Sequence, residues 1–457
     1  MLNCFVKDYG ALGDGVTMDT KALQAAIDDC ASHGGGRVTL AEGRFLSGMI
    51  RLKDGVELRI ERDAVLLGST DGNDYPEIVT DFWRTEYAPR FNKRCFIYAE
   101  GCEDIAITGR GAIDCQGENF MEPLPEERAM KAMWPYARKP HPTGPDGLVH
   151  IDGRAHDPGT VSLTPGRVVF FIGCKNVLIE DVTMRNQPAG WSYWICDCDN
   201  VHFHRAQILA SVLYPNNDGI HINCSRNVTV SDCNITCGDD GIVVRAYSAP
   251  LHQYKPCEKV TVTGCNITSH SGGIRIGWYD DGVIRNCTFS NLNITDSTVG
   301  IDLRLPNTPT ALRAATGKSE ADFYAYGRGL LPDSGRGSDQ GDEDTLVENL
   351  SFSDITMDRV FYEPVYINLG EYNRCEAVRN LYFSNIHAFA AHMPAIIGRE
   401  NCHVQNVYFT NCHFTQIDRS TIPDEKVGPH CGREHTLQPY FRWVDNLVLN
   451  QVAFTIK

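Results

Sequence analysis

Long hydrophobic runs are missing from this sequence. Its 457 residues are 42% hydrophobic and 22% charged, and no apolar run approaches the roughly 18 residues that a membrane span requires. Positive charge is also scarce, since 42 Lys and Arg face 58 Asp and Glu and give a net charge of −16. Because a negative net charge repels phosphate backbones and anionic lipids, neither nucleic acid nor a membrane is an expected partner. The sequence leaves the oligomeric state open.

The 18 cysteines lack the spacing of a metal site, because no paired C-x-x-C motifs occur. Residues 1–8 also lack the basic segment and apolar stretch of a secretory signal. We therefore expect buried, reduced thiols, no metal, no cofactor and a cytoplasmic location. Removal of a signal from the natural chain would instead make the protein secreted.

Helical periodicity is rare, and a repeat of short alternating strands takes its place. Asn176, Asn200 and Asn227 each begin one copy, at spacings of 24 and 27 residues, which fits a coil of about two dozen residues. The full set of copies begins at Asp104, Asn176, Asn200, Asn227, Lys259, Gly282, Asn349, Asn380, Asn406 and Asn446. With no helices between the copies, the repeat predicts an all-β chain folded as a parallel β-helix, whose stacked coils build one core.

The sequence predicts one helix, over residues 19–31, which ends before a run of glycines at residues 34–36. We expect it to cap the open end of the solenoid. Three stretches rich in Pro, Gly and charge interrupt the repeat, near residues 118–160, 305–343 and 414–440. Insertions of this length usually project from one side and shape a cleft, so we interpret residues 1–457 as a single parallel β-helix catalytic domain.

Several phrases resemble the polygalacturonase family, the pectin-degrading glycoside hydrolases of family 28. They include DYGALGDGVTMDTKALQAAIDDC near the start, then ITGRGAIDCQG, and the central NNDGIHINCSRNVTVSDCNITCGDDGIVVRA. The resemblance implies a right-handed parallel β-helix that hydrolyses an α-linked sugar, usually galacturonic acid, with inversion. A cytoplasmic enzyme would meet imported fragments rather than polymer, so we expect exo action on short oligosaccharides.

Three aspartates are the candidate catalytic groups. Asp218 in the NND phrase lies 21 residues before Asp239 and Asp240 in the GDD phrase, about one coil away, so the phrases should stack. Clustered carboxylates cannot all ionise cheaply, which provides an acid beside two bases. The resemblance implies that Asp239 is the general acid and that Asp218 and Asp240 activate water. Asn217 is a candidate substrate contact beside them.

His270 is a fourth catalytic candidate, although it departs from the family pattern. The family places a histidine in a Gly-His-Gly phrase before an apolar strand. Counting back from Ile276 and Gly277 puts Gly272 at that position, with His270 two residues early. The histidine reaches the site through a bulge or occupies a solvated turn.

The sequence also departs from the family pattern in the motif that binds the substrate carboxylate. The family carries Arg-Ile-Lys after a glycine, a pair of cations that binds a uronate. Here Arg304 retains the second cation, whereas Asp302 stands where the arginine belongs. Either Asp302 accepts hydrogen bonds from a neutral sugar, or another arginine restores the charge. The arginines that could do so are Arg275, Arg245, Arg328 and Arg336.

Aromatic side chains near these motifs could stack on sugar rings. Trp278 and Tyr366 are the candidates for substrate binding, with Tyr247, Tyr279 and Tyr372 nearby. Two alternatives to a hydrolase remain. A noncatalytic glycan-binding β-helix would need the aromatic groove but not the stacked aspartates. A pectate-lyase-like eliminase would need carboxylates that bind Ca²⁺.

Overall fold

The computed structural model describes residues 2–85, 93–126, 134–140, 143–151, 154–156, 164–307, 344–371, 373–418, 420 and 437–456. Helix α1 spans Thr20–Ser32, and short 3₁₀ helices span Val6–Tyr9, Gly72–Asp74 and Gly117–Phe120. In chain order the strands are β1 (Leu2–Phe5), β2 (Asp14–Met18), β3 (Gly36–Leu40), β4 (Gly43–Ser47), β5 (Ile50–Arg51), β6 (Val56–Ile60), β7 (Ala64–Gly68), β8 (Cys95–Glu100), β9 (Glu103–Thr108), β10 (Ala112–Asp114), β11 (Met121–Pro123), β12 (Tyr136–Arg138), β13 (Val149–Ile151), β14 (Arg154–His156), β15 (Arg167–Ile172), β16 (Lys175–Glu180), β17 (Thr183–Arg185), β18 (Trp191–Cys196), β19 (Asp199–His204), β20 (Gln207–Leu209), β21 (Ile220–Asn223), β22 (Arg226–Ser231), β23 (Asn234–Cys237), β24 (Ile242–Arg245), β25 (Cys257–Thr263), β26 (Asn266–Ser269), β27 (Gly272–Ile276), β28 (Val283–Thr295), β29 (Val299–Leu305), β30 (Thr345–Val360), β31 (Val365–Leu369), β32 (Cys375–Ala390), β33 (Ala395–Ile397), β34 (Val404–Gln416), β35 (Tyr440–Arg442) and β36 (Val444–Thr455).

Parallel pairing between successive coils builds the molecule. An 11-stranded sheet runs β5-β8-β15-β18-β21-β24-β27-β29-β31-β33-β35, and a 21-stranded sheet forms the remaining faces. Pairs such as β21 with β24 are parallel and in register, so each strand lies on the corresponding strand of the preceding coil. The predicted right-handed parallel β-helix is confirmed.

The repeat predicted from the sequence corresponds to a column of residues with left-handed backbone. Asn176, Asn200 and Asn380 have φ of 53°, 60° and 59°, a region that Asn and Asp tolerate better than other non-glycine residues. Their amides also bond along the column, as Asn200 does to Asn176 at 2.9 Å. The copy assigned to Gly282 was placed wrongly, because the left-handed residue of that coil is Asn286, with φ of 56°.

Inward side chains stack into the core that the repeat predicted. Phe289, Phe352, Phe383 and Phe409 lie on successive coils with ring centroids 5.0, 5.0 and 4.6 Å apart. The cysteines of the described residues are free thiols, and all but the half-buried Cys375 are buried. The expectation of buried, reduced thiols is therefore confirmed for this part of the chain.

The capping helix is also confirmed, shifted by one residue from the predicted bounds. Its apolar side buries Leu23, Ala26, Ile27 and Cys30. The carboxylate of Asp19 does not cap the helix, because it accepts hydrogen bonds from the backbone of the preceding loop at residues 12 and 13. Within the described residues, no helix has the length and apolarity to cross a membrane.

The interruptions of the repeat are only partly described. The first contributes two small antiparallel hairpins, β11 with β12 and β13 with β14. The second lies almost wholly outside the described residues, and so does much of the third. The single-domain interpretation of residues 1–457 stays a prediction.

Candidate active site

The coil register brings the NND and GDD phrases together, as the sequence predicted. Ile220 pairs with Ile242 on the adjacent coil, and the Gly219 N–H donates to the Asp240 carbonyl at 2.9 Å. Asp218 and Asp240, each two residues before its strand, therefore occupy matching positions. Burial raises the pKa of the Cys237 thiol well above its ordinary value, and the charges of Asp218, Asp239 and Asp240 add to that effect. All three carboxylates thus lie around one buried thiol.

Each aspartate has a different electrostatic neighbour. Asp218 is buried, and its Oδ2 lies 3.5 Å from Nδ1 of His221. Asp240 accepts the Gly272 N–H at 2.9 Å and lies 3.5 Å from the Arg275 guanidinium. The three carboxylates are therefore chemically distinct, which a division into one acid and two bases requires.

Asp239 is held by the backbone and side-chain amide groups of Asn216, which lies in the same loop as Asp218. The backbone N–H and the side-chain amide of Asn216 both donate to Asp239 Oδ2 at 3.1 Å. Asn216 is a site residue that sequence reasoning missed, although it is the first residue of the same NND phrase.

Asn217 does not present its side chain to a substrate, contrary to the sequence prediction. Its amide is fully buried, donates to the Ser211 carbonyl at 2.8 Å and accepts the Gly238 N–H at 2.6 Å. Both ends of the amide are therefore bonded to backbone. Asn217 joins the NND loop to the GDD loop and fixes the spacing of their carboxylates.

His270 is buried rather than solvated. Its Nδ1 lies 2.8 Å from the Val212 carbonyl and must donate, because a carbonyl oxygen only accepts. This contact holds the loop that leads to Asn216. At Gly272, the family position, an added Cβ would lie 3.1 Å from Asp240 Oδ1, so a side chain there would crowd the carboxylate. A direct catalytic role for His270 stays a prediction.

An arginine of the adjacent coil lies beside the aspartate that stands at the position of the missing cation. Arg275 and Asp302 are register partners on β27 and β29. Asp302 is 1% exposed, and its Oδ2 lies 3.0 Å from the Arg275 guanidinium and 3.2 Å from that of Arg304. Both arginines contact the same oxygen of this buried carboxylate, which favours the alternative that another arginine restores the charge. The interpretation of Asp302 as an acceptor for a neutral sugar stays a prediction.

Trp278 completes this cluster. Its ring lies under both guanidinium groups, with centroid distances of 4.3 Å for Arg275 and 5.0 Å for Arg304. Trp278 and Arg304 are half-buried, so part of each remains accessible. The predicted residues Arg275, Asp302, Arg304 and Trp278 thus form one group next to Asp240.

The other predicted binding residues are placed differently. The Nε–H of Arg245 donates to both carboxylate oxygens of the buried Asp281, at 2.9 and 2.7 Å, and Asp281 also accepts the backbone N–H of Trp278 at 2.7 Å. Arg245 therefore supports the loop that carries Trp278. Tyr366 is buried beside Asp302 in the register, and its hydroxyl accepts from Asn368 at 2.9 Å. Of the further candidates, Tyr247 and Tyr279 are buried, while Arg328, Arg336 and Tyr372 lie outside the described residues.

The first insertion packs against the catalytic loops, which the sequence predicted only in outline. The indole N–H of the buried Trp134 donates to the carbonyl of Gly238, the residue before Asp239. Tyr136 meets Tyr214 of the NND loop edge to face, with ring centroids 5.2 Å apart. Trp134 and Tyr136 thus form a wall of the first insertion against the NND and GDD loops.

Comparisons with known proteins identify a family. Residues 37–316 match the model for glycosyl hydrolases family 28, and residues 4–59 match that for rhamnogalacturonase A/epimerase, pectate lyase-like. A probable polygalacturonase of Vitis vinifera is 28% identical over 260 residues, covering 54% of this chain and 46% of that protein. An exo-poly-alpha-D-galacturonosidase of Dickeya chrysanthemi is 28% identical over 253 residues, covering 52% and 41%. The chain thus spans less than half the length of these relatives.

A solved structure extends the likeness to the whole fold. The hyperthermoactive exopolygalacturonase from Thermotoga maritima superposes with a TM-score of 0.67 at 22% identity, over 98% of this chain and 92% of that one. Similarity at this identity concerns the fold alone.

Proposed function

Because the chain belongs to glycosyl hydrolases family 28, we propose that it hydrolyses an α-linked galacturonide of pectic oligosaccharides, with inversion and from a chain end. The single observation that carries the proposal is the stacking of the NND and GDD phrases on adjacent coils. This arrangement supplies three carboxylates in three environments.

In the proposed mechanism, Asp239 protonates the leaving oxygen and Asp218 and Asp240 activate water on the opposite face of the sugar. One cationic contact favours this division. Arg275 lies 3.5 Å from Asp240, and a positive neighbour favours the ionised form that a base requires. Asp218 lies beside His221 and Asp239 is oriented by the amide groups of Asn216, so the three carboxylates have different surroundings. Inversion needs this acid and base pair with a water between them.

Exo action is supported by the wall that Trp134 and Tyr136 form. Since these residues bond to Gly238 and pack on Tyr214, the first insertion lies directly against the loops that hold the catalytic carboxylates. A cleft that is closed on one side of the scissile bond admits only a chain end. The product of such an enzyme is one short, uniform sugar unit from the first turnover onward.

Recognition of a uronate is supported by the converging arginines. Arg275 and Arg304 share Asp302, Arg275 also lies 3.5 Å from Asp240, and the half-buried Arg304 keeps part of its guanidinium accessible, a group that suits planar carboxylates. Asp302 then holds both side chains against Trp278 instead of facing the sugar. The repulsion that an isolated Asp302 would exert on a galacturonide does not arise in this arrangement.

The proposal is tested by incubating the protein with digalacturonate, trigalacturonate and polygalacturonate and following early products by proton NMR. From trigalacturonate and polygalacturonate we expect free galacturonate to appear first as the β anomer. Digalacturonate also releases its reducing-end unit, which is already a mixture of anomers, so there we expect an early excess of β over the equilibrium ratio. An early α anomer would indicate retention, and a ladder of intermediate oligomers from polygalacturonate would indicate endo action. Absorbance of an unsaturated product that EDTA abolishes would instead support an eliminase. Galacturonides that remain intact while neutral α-galactosides are cleaved would contradict the uronate assignment.

A further inference from the structure

A stack of three buried side chains leads to Asp218 from the earlier coils. The guanidinium of Arg167 lies 3.5 Å from the ring centroid of Trp191. Trp191 in turn stacks on His221, with centroids 3.7 Å apart and planes inclined by 21°. His221 Nδ1 then lies 3.5 Å from Asp218 Oδ2. No resemblance or motif identified in the sequence assigned a role to Arg167, Trp191 or His221.

The stack follows from the coil register. Arg167 pairs with Trp191 on β15 and β18, and the Ser192 N–H donates to the Asp218 carbonyl at 2.9 Å. Trp191 therefore lies between the coil of Arg167 and the coil of Asp218. His221 lies outside the core, because Ile220 and Ile222 on either side of it point inward in the alternation of β21.

Burial argues against stacking of these rings on a sugar ring. Arg167, Trp191 and His221 are 1%, 7% and 4% exposed, so neither ring offers an open face for stacking. The aromatic contact instead fixes the plane of the imidazole, and a fixed imidazole fixes the position of Nδ1. Asp218 is thus held by a group that cannot rotate without breaking the stack.

We propose that His221 is a positioning residue for the hydrolysis, clamped by Trp191 and Arg167, and that it holds the Asp218 carboxylate in the orientation that activates water. This inference rests on the proposed function, because it assigns Asp218 as a base. Its effect passes through Asp218, so removal of His221 slows the chemical step and leaves substrate binding almost unchanged. Small displacements of a catalytic group cost about 10- to 100-fold in rate.

The kinetic experiment compares His221→Ala, His221→Gln and Trp191→Leu with the wild type on digalacturonate. For His221→Ala we expect kcat to fall by about 10- to 100-fold while KM stays within about twofold. His221→Gln retains an N–H donor and should recover part of the loss, and Trp191→Leu should lower kcat less than His221→Ala. His202→Ala is the matched control, because His202 lies on the outer surface of β19 and bonds to Thr229. Thermal melts establish that each variant folds.

Unchanged kcat in His221→Ala, or a raised KM with normal kcat, would overturn the inference. A folded His221→Gln that is as slow as His221→Ala would do the same. A second measurement does not depend on activity: crystal structures of the wild type and His221→Ala should show the Asp218 carboxylate displaced or in two orientations in the variant. An unmoved Asp218 in His221→Ala would contradict the inference. If Asp218 is displaced in His221→Ala but the wild type cleaves no galacturonide, only the proposed function is contradicted.

Discussion

At the scale of single residues, the site depends on which neighbour each carboxylate has. Asp239, which the backbone and side-chain amide groups of Asn216 hold at one carboxylate oxygen, is the proposed general acid. Asp239→Asn should lower kcat on trigalacturonate by about 10²- to 10⁴-fold, the usual contribution of general-acid catalysis. Initial rates measure the loss, and substrates with activated leaving groups should lose less.

Asp232→Asn is the matched control for that variant. Asp232 has a left-handed backbone and an exposed side chain on the neighbouring turn, so the same chemical change there should leave kcat within about twofold. Near-normal turnover by Asp239→Asn would remove Asp239 as the acid.

The pair of Arg275 and Asp302 gives a second residue-scale prediction. Arg275→Gln should raise KM for digalacturonate by about 10- to 100-fold, because a charge-assisted hydrogen bond contributes about 1.5–3 kcal/mol. Asp302→Arg alone should also weaken binding, since it places a third cation beside Arg275 and Arg304. The double variant Arg275→Asp/Asp302→Arg preserves the register pair. It should retain more activity than Arg275→Asp alone or Asp302→Arg alone.

Arg285→Gln serves as the control, because Arg285 pairs with Glu258 on the other sheet. A KM for Arg275→Gln that matches the wild type would contradict binding of the carboxylate at this position. A double variant less active than both single variants would contradict the register argument.

The sequence predicted which residues form the site better than it predicted what each does. Asp218, Asp239 and Asp240 could be placed together because one coil separates their phrases. Asn217 was misassigned, since a sequence does not reveal that both ends of an amide are bonded to backbone. His221 was missed although its alternation with Ile220 and Ile222 already indicated an outward side chain. What the alternation could not reveal was its ring contact with Trp191, which depends on rotamers.

At the scale of secondary-structure elements, the turn columns set the shape of each coil. Asn380 combines a left-handed backbone, φ 59°, with two ladder bonds, to Asn349 at 2.8 Å and from Asn406 at 2.9 Å. Asn380→Ala should destabilise the protein by about 1–3 kcal/mol, because it loses these bonds and strains an L-residue in this region.

Asn380→Gly separates the two causes, since glycine adopts the left-handed region without strain but has no amide. It should therefore destabilise less than Asn380→Ala does. Urea unfolding followed by circular dichroism measures both variants, and equal midpoints for Asn380→Ala and the wild type would contradict a structural role for the column.

The packing of the first insertion could not be predicted from the sequence. Repeats predict where coils lie because their hydrophobic pattern is periodic, whereas an insertion has no period. The contact between Trp134 and Gly238 joins residues 104 positions apart and depends on the path of a loop. The sequence could therefore indicate that an insertion shapes the cleft but not that it packs on the loop carrying Asp239.

At the scale of the whole molecule, the first and last described coils of the solenoid differ in how well their apolar residues are covered. At the N-terminal end, α1 covers the core with Leu23, Ala26 and Ile27. At the other end, β36 contains no buried position and exposes Val448 and Leu449 by 38% and 43%. Stability in a solenoid is approximately a sum of coil and interface contributions, so a coil with a neighbour on one side only is the least stable.

Hydrogen exchange should therefore reveal a gradient along the axis. We expect amides of β36 to exchange earliest among the long strands and amides of β28 and β30 to exchange last, because local opening needs less energy where fewer apolar contacts break. Strand β3 is the control, since it also lies near an end but under α1, and it should be protected more strongly than β36. Mass spectrometry of peptic peptides resolves these strands. Equal protection of β36 and β30 would mean that the molecule opens only as a whole, and protection of β3 as weak as that of β36 would mean that α1 does not stabilise the end it covers.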